Sequence, residues 1–232
     1  MQLTGDSAAF QTRLVDATSA LVGDDPASHV YVRNKRDAAS AFPGRVAAVT
    51  VDHGLRRESA DEAALVARWC VAHGIEHVTL TADSIVTGNV QAWARTTCYR
   101  LMEAWRASHA IDWIMTAHHA DDQLETLVMR LNRGSGIGGL AGVRAVSGRV
   151  IQPLLGERKA MLQAFVDREG LPYVQDPSNR DRRFDRAALR MALSGATWLD
   201  AQAATRSAAA LADAEAAILW SVTQLADQYI RA

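Results

Sequence analysis

Five residues able to carry chemistry fall within eight positions of this chain: His118, His119, Asp121, Asp122 and Glu125, in the run TAHHADDQLET. Carboxylates are hard oxygen donors that suit Mg²⁺, an ion that keeps substrate phosphates and waters in its shell. Imidazole exchanges a proton near neutral pH. Asp122 and Glu125 are three apart, which puts them on one face of a helix, and they are the expected metal ligands. Zinc held by His118, His119 and Asp122 is the less favoured option, and a solvated acidic face is the bland one. Arg95, on a different helix, reads by default as a structural salt bridge.

Two further segments have the residue types of a ligand site. Arg133-Gly134-Ser135-Gly136, followed by Gly138 and Gly139, could cradle a phosphate on backbone N–H groups. It could equally be a helix C-cap with a flexible connection. Asp52-His53-Gly54 follows an apolar run and reads as a turn at the end of a strand. Its His53 would then lie at the carboxyl edge of a sheet, where α/β folds bind ligands.

The elements that must position these residues follow from periodicity. Residues 45–51 (RVAAVTV) read as a buried parallel strand. The helix after it shows the capping-box pattern Ser59-x-x-Glu62, an apolar face of Leu65, Val66, Trp69 and Cys70, and a stop at Gly74. Strands are expected over 77–80, 111–115 and 149–154, and helices over 90–109 and 157–169. Leu124, Leu127, Val128 and Leu131 recur at helical spacing, so the helix bearing Asp122 and Glu125 is expected to pack on its leucines with the acids facing away. Strands alternating with helices of this length predict a parallel sheet with helices on both faces, an α/β Rossmann-like fold. The alanine-rich end predicts a helical linker or cap over 191–232, following a catalytic domain over 1–190.

Composition excludes several classes. With 232 residues and 49% hydrophobic content the chain can build a sizeable core. Two cysteines, Cys70 and Cys98, exclude a disulfide scaffold and a four-cysteine zinc site. There is no run of 18 apolar residues and no signal-peptide pattern, so the expected location is the cytoplasm, with no membrane partner. A formal net charge of −1 gives no general argument for nucleic acid. Arg180, Arg182, Arg183, Arg186 and Arg190, however, crowd a short stretch that is either a solvated face or a contact for RNA phosphates.

Together, the segments VDHGLR (51–56), NVQAWARTTCYRLM (89–102), TAHHADDQLETLVMRLNRGSGIGGLAGV (116–143), IQPLL (151–155) and DPSNRDRRFDRAALR (176–190) resemble the N-terminal domain of the tRNA(Ile)-lysidine synthetases. These are PP-loop ATP pyrophosphatases of the adenine nucleotide alpha hydrolase-like class. The resemblance implies a ligase for tRNA modification. ATP would adenylate the wobble cytidine of a tRNA(Ile) with a CAU anticodon. Free L-lysine would then attack that base, leaving lysidine. It implies ATP and Mg²⁺ as cofactors, a homodimer as a frequent state, and His118, Asp122, Glu125 and Arg95 as the catalytic residues. The alternative is a catalytically impaired relative that binds RNA or a partner, or another PP-loop tRNA-modifying enzyme. The family's Ser-Gly-Gly-x-Asp-Ser loop aligns here with Gly23, Asp24, Asp25, Pro26, Ala27 and Ser28, the expected ATP-binding positions alongside His53, Gly134, Ser135 and Gly136. Both signature glycines become aspartates and the signature aspartate becomes Ala27, making residues 1–42 atypical. A diverged loop, a misread segment before residue 42, and ATP held through other contacts are three open explanations.

Overall fold

The computed structural model describes residues 46–56, 58–82, 88–173 and 185–229. The ATP loop expected at Gly23, Asp24, Asp25, Pro26, Ala27 and Ser28, and the arginines at 180–183, lie outside the described residues. The chain divides into two compact units. One holds the described residues from 46 to 116 together with Gly148–Ile151, and the other holds Ala117–Ser147 and the described residues from 152 onward.

In the first unit, strand β1 (Ala47–Asp52) pairs in parallel with β2 (Glu76–Thr81), in register from Ala47 opposite Glu76 to Asp52 opposite Thr81. Helix α1 (Ser59–Ala72) is the crossover between them, as a parallel pair requires. It buries Ala63 and Cys70. Helix α2 (Val90–Ser108) follows, its start capped by the Asn89 side chain, which accepts from the Ala92 amide at 3.0 Å. A second parallel pair joins β3 (Ile114–Met115) to Val150–Ile151.

Both strands of this second pair are shorter than the sequence pattern predicts, for identifiable reasons. The backbone just before β3 is spent on ending α2: the Ile111 amide donates to the Arg106 carbonyl, and Arg106 Nη1 donates to the Ile111 carbonyl at 2.6 Å. At the other strand, Pro153 has no N–H to continue a ladder. The Ser59-x-x-Glu62 capping box also does not form. Glu58 is the N-cap residue and makes no side-chain cap. The Ser59 hydroxyl instead donates to Asp52 Oδ1 at 2.7 Å, and Glu62 pairs with Arg56. A carboxylate at the end of β1 offers this hydroxyl a charged acceptor, a stronger bond than one to a backbone amide.

The second unit contains α3 (Ala120–Asn132), the single turn α4 (Ile137–Leu140), β4 (Val146–Ser147), α5 (Lys159–Arg168), α6 (Asp185–Leu193) and α7 (Ala201–Tyr229), with Val150–Ile151 of the first unit counted as β5 in chain order. The first half of α7 buries Ala201, Ala204 and Ala208 and packs on α3 and α4. Gln202 Nε2 and Thr205 Oγ1 donate to the carbonyls of Gly156 and Leu155. Farther along, Ile218, Trp220, Val222 and Leu225 are exposed. No helix among the described residues is long and apolar enough to cross a membrane.

Four helices end the same way, with the residue after the cap in the left-handed region and the next amide donating back to the last turn. After α1, α3 and α5 that residue is Gly74, Gly134 and Gly170; after α2 it is Ala110, at φ 52°. A Cβ in this conformation costs about 1 kcal/mol. Replacing Ala110 by glycine therefore removes strain without touching a contact. Ala110→Gly is expected to raise the unfolding free energy by roughly 0.5–1 kcal/mol, measured by urea denaturation with an unchanged m-value.

Candidate active site

The segment 117–119 enters α3, and the two histidines have different jobs there. His119 is the N-cap of α3: its Nδ1 accepts from the Asp122 amide at 3.3 Å, and Asp122 Oδ2 accepts from the His119 amide at 3.2 Å. This is a reciprocal capping box built from His and Asp. With Nδ1 accepting, the neutral His119 ring has its proton on Nε2, which stands 3.4 Å from Asp122 Oδ2. His118 does the opposite. Its Nδ1 is 3.0 Å from Oε1 of Gln152, an atom that can only accept, so this contact calls for a donor at Nδ1.

The three carboxylates of α3 are likewise divided. Asp121 accepts from Arg158 (Nη2 at 3.0 Å) and from the backbone amide of Lys159 at 2.7 Å, tying the start of α3 to the start of α5. Burial works against its ionised form, but Arg158 and the Lys159 amide outweigh it, and the carboxyl titrates below its ordinary range. Glu125 is buried, its side chain 5% exposed, and each of its oxygens is taken by a guanidinium. Arg190 Nε donates to Oε1 at 2.6 Å; Arg186 Nε and Arg190 Nη2 donate to Oε2 at 2.8 and 3.0 Å. Arg186 Nη2 also reaches Asp122 Oδ1 at 3.2 Å. Arg186 and Arg190 are one turn apart on α6, so a single helix face delivers both.

This overturns the expectation that the acids face away from the packed side of α3. The residues buried on α3 are Ala120, Gln123 and Glu125, while Leu131 is 56% exposed. Burying an unpaired carboxylate costs several kcal/mol, and the two arginines make this burial tolerable. They also bear on the metal reading. Asp122 and Glu125 do not fit a divalent cation while two guanidiniums neutralise them. Among the described residues no group of three or more His, Cys, Asp or Glu side chains could hold a metal.

Gln123 is a further residue that sequence reasoning passed over. It is 2% exposed; its Nε2 donates to the Val143 carbonyl at 3.0 Å and its Oε1 accepts from the Val143 amide at 2.8 Å. The segment after α4 is thereby pinned to α3. Gly142, at φ 60°, lies where a Cβ would meet Gln123 Oε1 at 2.6 Å. Of the glycine-rich run, the Gly134 amide donates to the Leu131 carbonyl and the Ser135 amide to that of Arg130. Those two N–H groups close the end of α3, and Gly136 caps α4, so the helix-cap alternative describes this run.

His53 and Arg95 belong to the first unit. Asp52 accepts from Ser59 and from the Gly54 amide, and these bonds hold its carboxyl below the usual range. Burial lowers the pKa of the neighbouring His53 imidazole, with Asp52 opposing. Its ring meets Trp93 edge-on at 5.9 Å, and its Nδ1 is buried with no hydrogen-bond partner among the described residues. Such an orphaned nitrogen at the carboxyl end of a parallel strand fits a ligand contact. Arg95 lies over the Tyr99 ring at 5.2 Å.

A family model described as "PP-loop domain" matches residues 23–196. The chain belongs to the PP-loop domain family. Curated relatives include proteins named tRNA(Ile)-lysidine synthase from Novosphingobium aromaticivorans, 46% identical over 76% of this chain and 56% of that protein, and from Zymomonas mobilis, 40% identical over 84% and 61%. The chain thus spans somewhat more than half the length of these relatives. Among solved structures, a U34-tRNA thiolase from Methanococcus maripaludis with a [4Fe-4S] cluster superposes with a TM-score of 0.64 at 15% identity, over 88% of this chain and 79% of that one. That likeness supports the parallel α/β PP-loop fold.

The Asp121 clamp yields a pH test. Because the folded-state pKa of Asp121 is depressed, its contribution is present above the unfolded carboxyl value of about 3.9 and is lost as pH falls through the folded value. Asp121→Asn is expected to lose about 1.5 kcal/mol at pH 7. The gap to wild type should close in strongly acidic solution, as measured by denaturant unfolding across that range.

Proposed function

We propose that this PP-loop domain is the catalytic part of an ATP-dependent tRNA-modifying ligase that joins lysine to the wobble cytidine of tRNA(Ile) carrying a CAU anticodon, through an adenylated cytidine. The observation that carries this reading is the 46% identity to a tRNA(Ile)-lysidine synthase across the segment that contains the His118–Glu125 cluster. A cytoplasmic setting accords with it.

The side chains divide the work in a chemically reasonable way. Lysine is inert while its ε-amine is protonated, so the ligation needs a base. His118, held through Nδ1, carries its basic lone pair on Nε2 and is our assignment for that proton transfer. Glu125 and Asp122, with Arg186 and Arg190, form a compact set of two negative and two positive groups. Such a set suits a zwitterionic amino acid better than a bare cation. For this reason no step is assigned to Mg²⁺ on these two acids; a divalent ion accompanying ATP would be held by the triphosphate and other residues. His53, with its unpartnered Nδ1, is our candidate contact for the nucleotide. Arg95 is assigned to tRNA or phosphate, where a guanidinium shared with an aromatic face is well suited.

Mixing the protein with ATP and tRNA(Ile) is expected to release pyrophosphate, and adding lysine to release AMP. His118→Ala should lower the lysine-dependent AMP step by about 10²–10³-fold while leaving pyrophosphate release within a few-fold of wild type. Pyrophosphate release without a lysine-dependent second step would favour a different tRNA ligase. Absence of both would favour a relative that only binds RNA or a partner.

A further inference from the structure

Gln152 lies in IQPLL (151–155), a segment to which no chemistry was assigned, yet its side chain meets the candidate base. It is buried, 5% exposed, immediately before Pro153. Its backbone is fixed on both sides: its amide donates to the Ala145 carbonyl at 2.9 Å, and its carbonyl accepts from Leu155. The carboxamide therefore has little freedom, and its oxygen lies 3.0 Å from His118 Nδ1. We propose that Gln152 is a positioning residue that fixes His118 as the Nδ1–H tautomer, so that Nε2 is the nitrogen that takes the proton. The role in turnover rests on the ligase reading above; the tautomer does not.

An amide oxygen cannot donate, so a bond to it requires hydrogen on Nδ1, and a neutral imidazole has a single N–H. The remaining lone pair is then on Nε2. When Nε2 takes a proton from an ammonium N–H, the ring becomes an imidazolium and the Nδ1–H bond to Oε1 strengthens, because the donor is now charged. The anchor is uncharged, which distinguishes it from the carboxylate that orients the histidine of a Ser-His-Asp triad. A carboxylate would raise the ring's basicity; an amide sets direction without adding charge. Among the described residues the ion pairs on adjoining elements join Asp121 to Arg158, and Asp122 and Glu125 to Arg186, Arg190 and the His119 ring, and the atom at His118 Nδ1 is the uncharged Gln152 Oε1. His119, next in sequence, has the opposite tautomer because it accepts a backbone amide. Adjacent histidines locked into opposite tautomers separate a structural cap from a base.

Two measurements test this. Long-range ¹⁵N–¹H spectra of protein with ¹⁵N-labelled histidine, with His118 identified by its loss in His118→Ala, report the tautomer without turnover. Wild type is expected to show protonated Nδ1 and bare Nε2 at His118, and Gln152→Leu to lose that preference while His119 keeps protonated Nε2. An Nε2–H tautomer at His118 in wild type would overturn the proposal, as would an unchanged tautomer in Gln152→Leu. The second measurement is the pH profile of lysine-dependent AMP release. Gln152→Leu should lower kcat about tenfold or more with KM for ATP unchanged. Gln152→Glu should keep the Nδ1–H tautomer and move the acidic limb up by about one pH unit or more, since an opposite charge favours the imidazolium. An acidic limb that does not move in Gln152→Glu would overturn the catalytic half. If no ligase activity exists, the ligase reading fails on its own, and the spectra alone decide the positioning role.

Discussion

Glu125 is a carboxylate inside the protein, and the second unit is organised around making that tolerable. Its helix cannot bury this face unless opposite charge arrives from elsewhere in the chain. Arg186 and Arg190 supply it from α6, 61 and 65 residues away, with three short bonds covering both oxygens. The side chains of Arg186 and Arg190 remain 34% and 29% exposed. The cluster is therefore buried on its acidic side and wet on its basic side, the arrangement expected where a charged ligand must reach it. Breaking a fully buried pair costs about 3–5 kcal/mol; partial exposure of the arginines puts this pair toward or below the lower end.

Around that cluster, neighbouring residues of similar type have been given separate tasks by their hydrogen bonds. Asp121 clamps α5, Asp122 closes a capping box, and Glu125 takes the arginines. His119 holds a helix end, while His118 is turned to Gln152. Gln123 and Gln152, both buried amides, fix a loop and a ring respectively. A run of five polar residues that reads as a metal site in sequence is, in space, a set of braces, with His118 the one proposed as a base. The lysine reading draws on this: a zwitterion needs both signs close together, and the described geometry provides both.

The order of elements was legible in the chain because helix and strand periods differ. β1, α1, β2, α2 and α3 fall close to where apolar spacing puts them, and the PP-loop family follows from the motifs. The errors have physical causes. Periodicity tells which residues of α3 share a face but not which face is buried, since a distant arginine pair outweighs a row of leucines. Ser59 and Glu62 match a capping box, yet Asp52 and Arg56 compete for them. The strand expected from residue 111 starts later because Arg106 has already engaged Ile111. Gln152 sits in a family-like segment, IQPLL, but carried no signal of a role: a single glutamine before a proline acquires one only when the fold brings His118 to it. Arg186 and Arg190 carried an unused one: their spacing of four puts them on one helix face, though it names no partner.

Burial of Glu125 requires that Glu125 and Arg190 be energetically coupled across α3 and α6. A double-mutant cycle of Glu125→Gln and Arg190→Gln, followed by urea denaturation at neutral pH, measures that coupling directly. A coupling energy of about 1.5 kcal/mol or more is expected. Additivity within roughly 0.5 kcal/mol would contradict it.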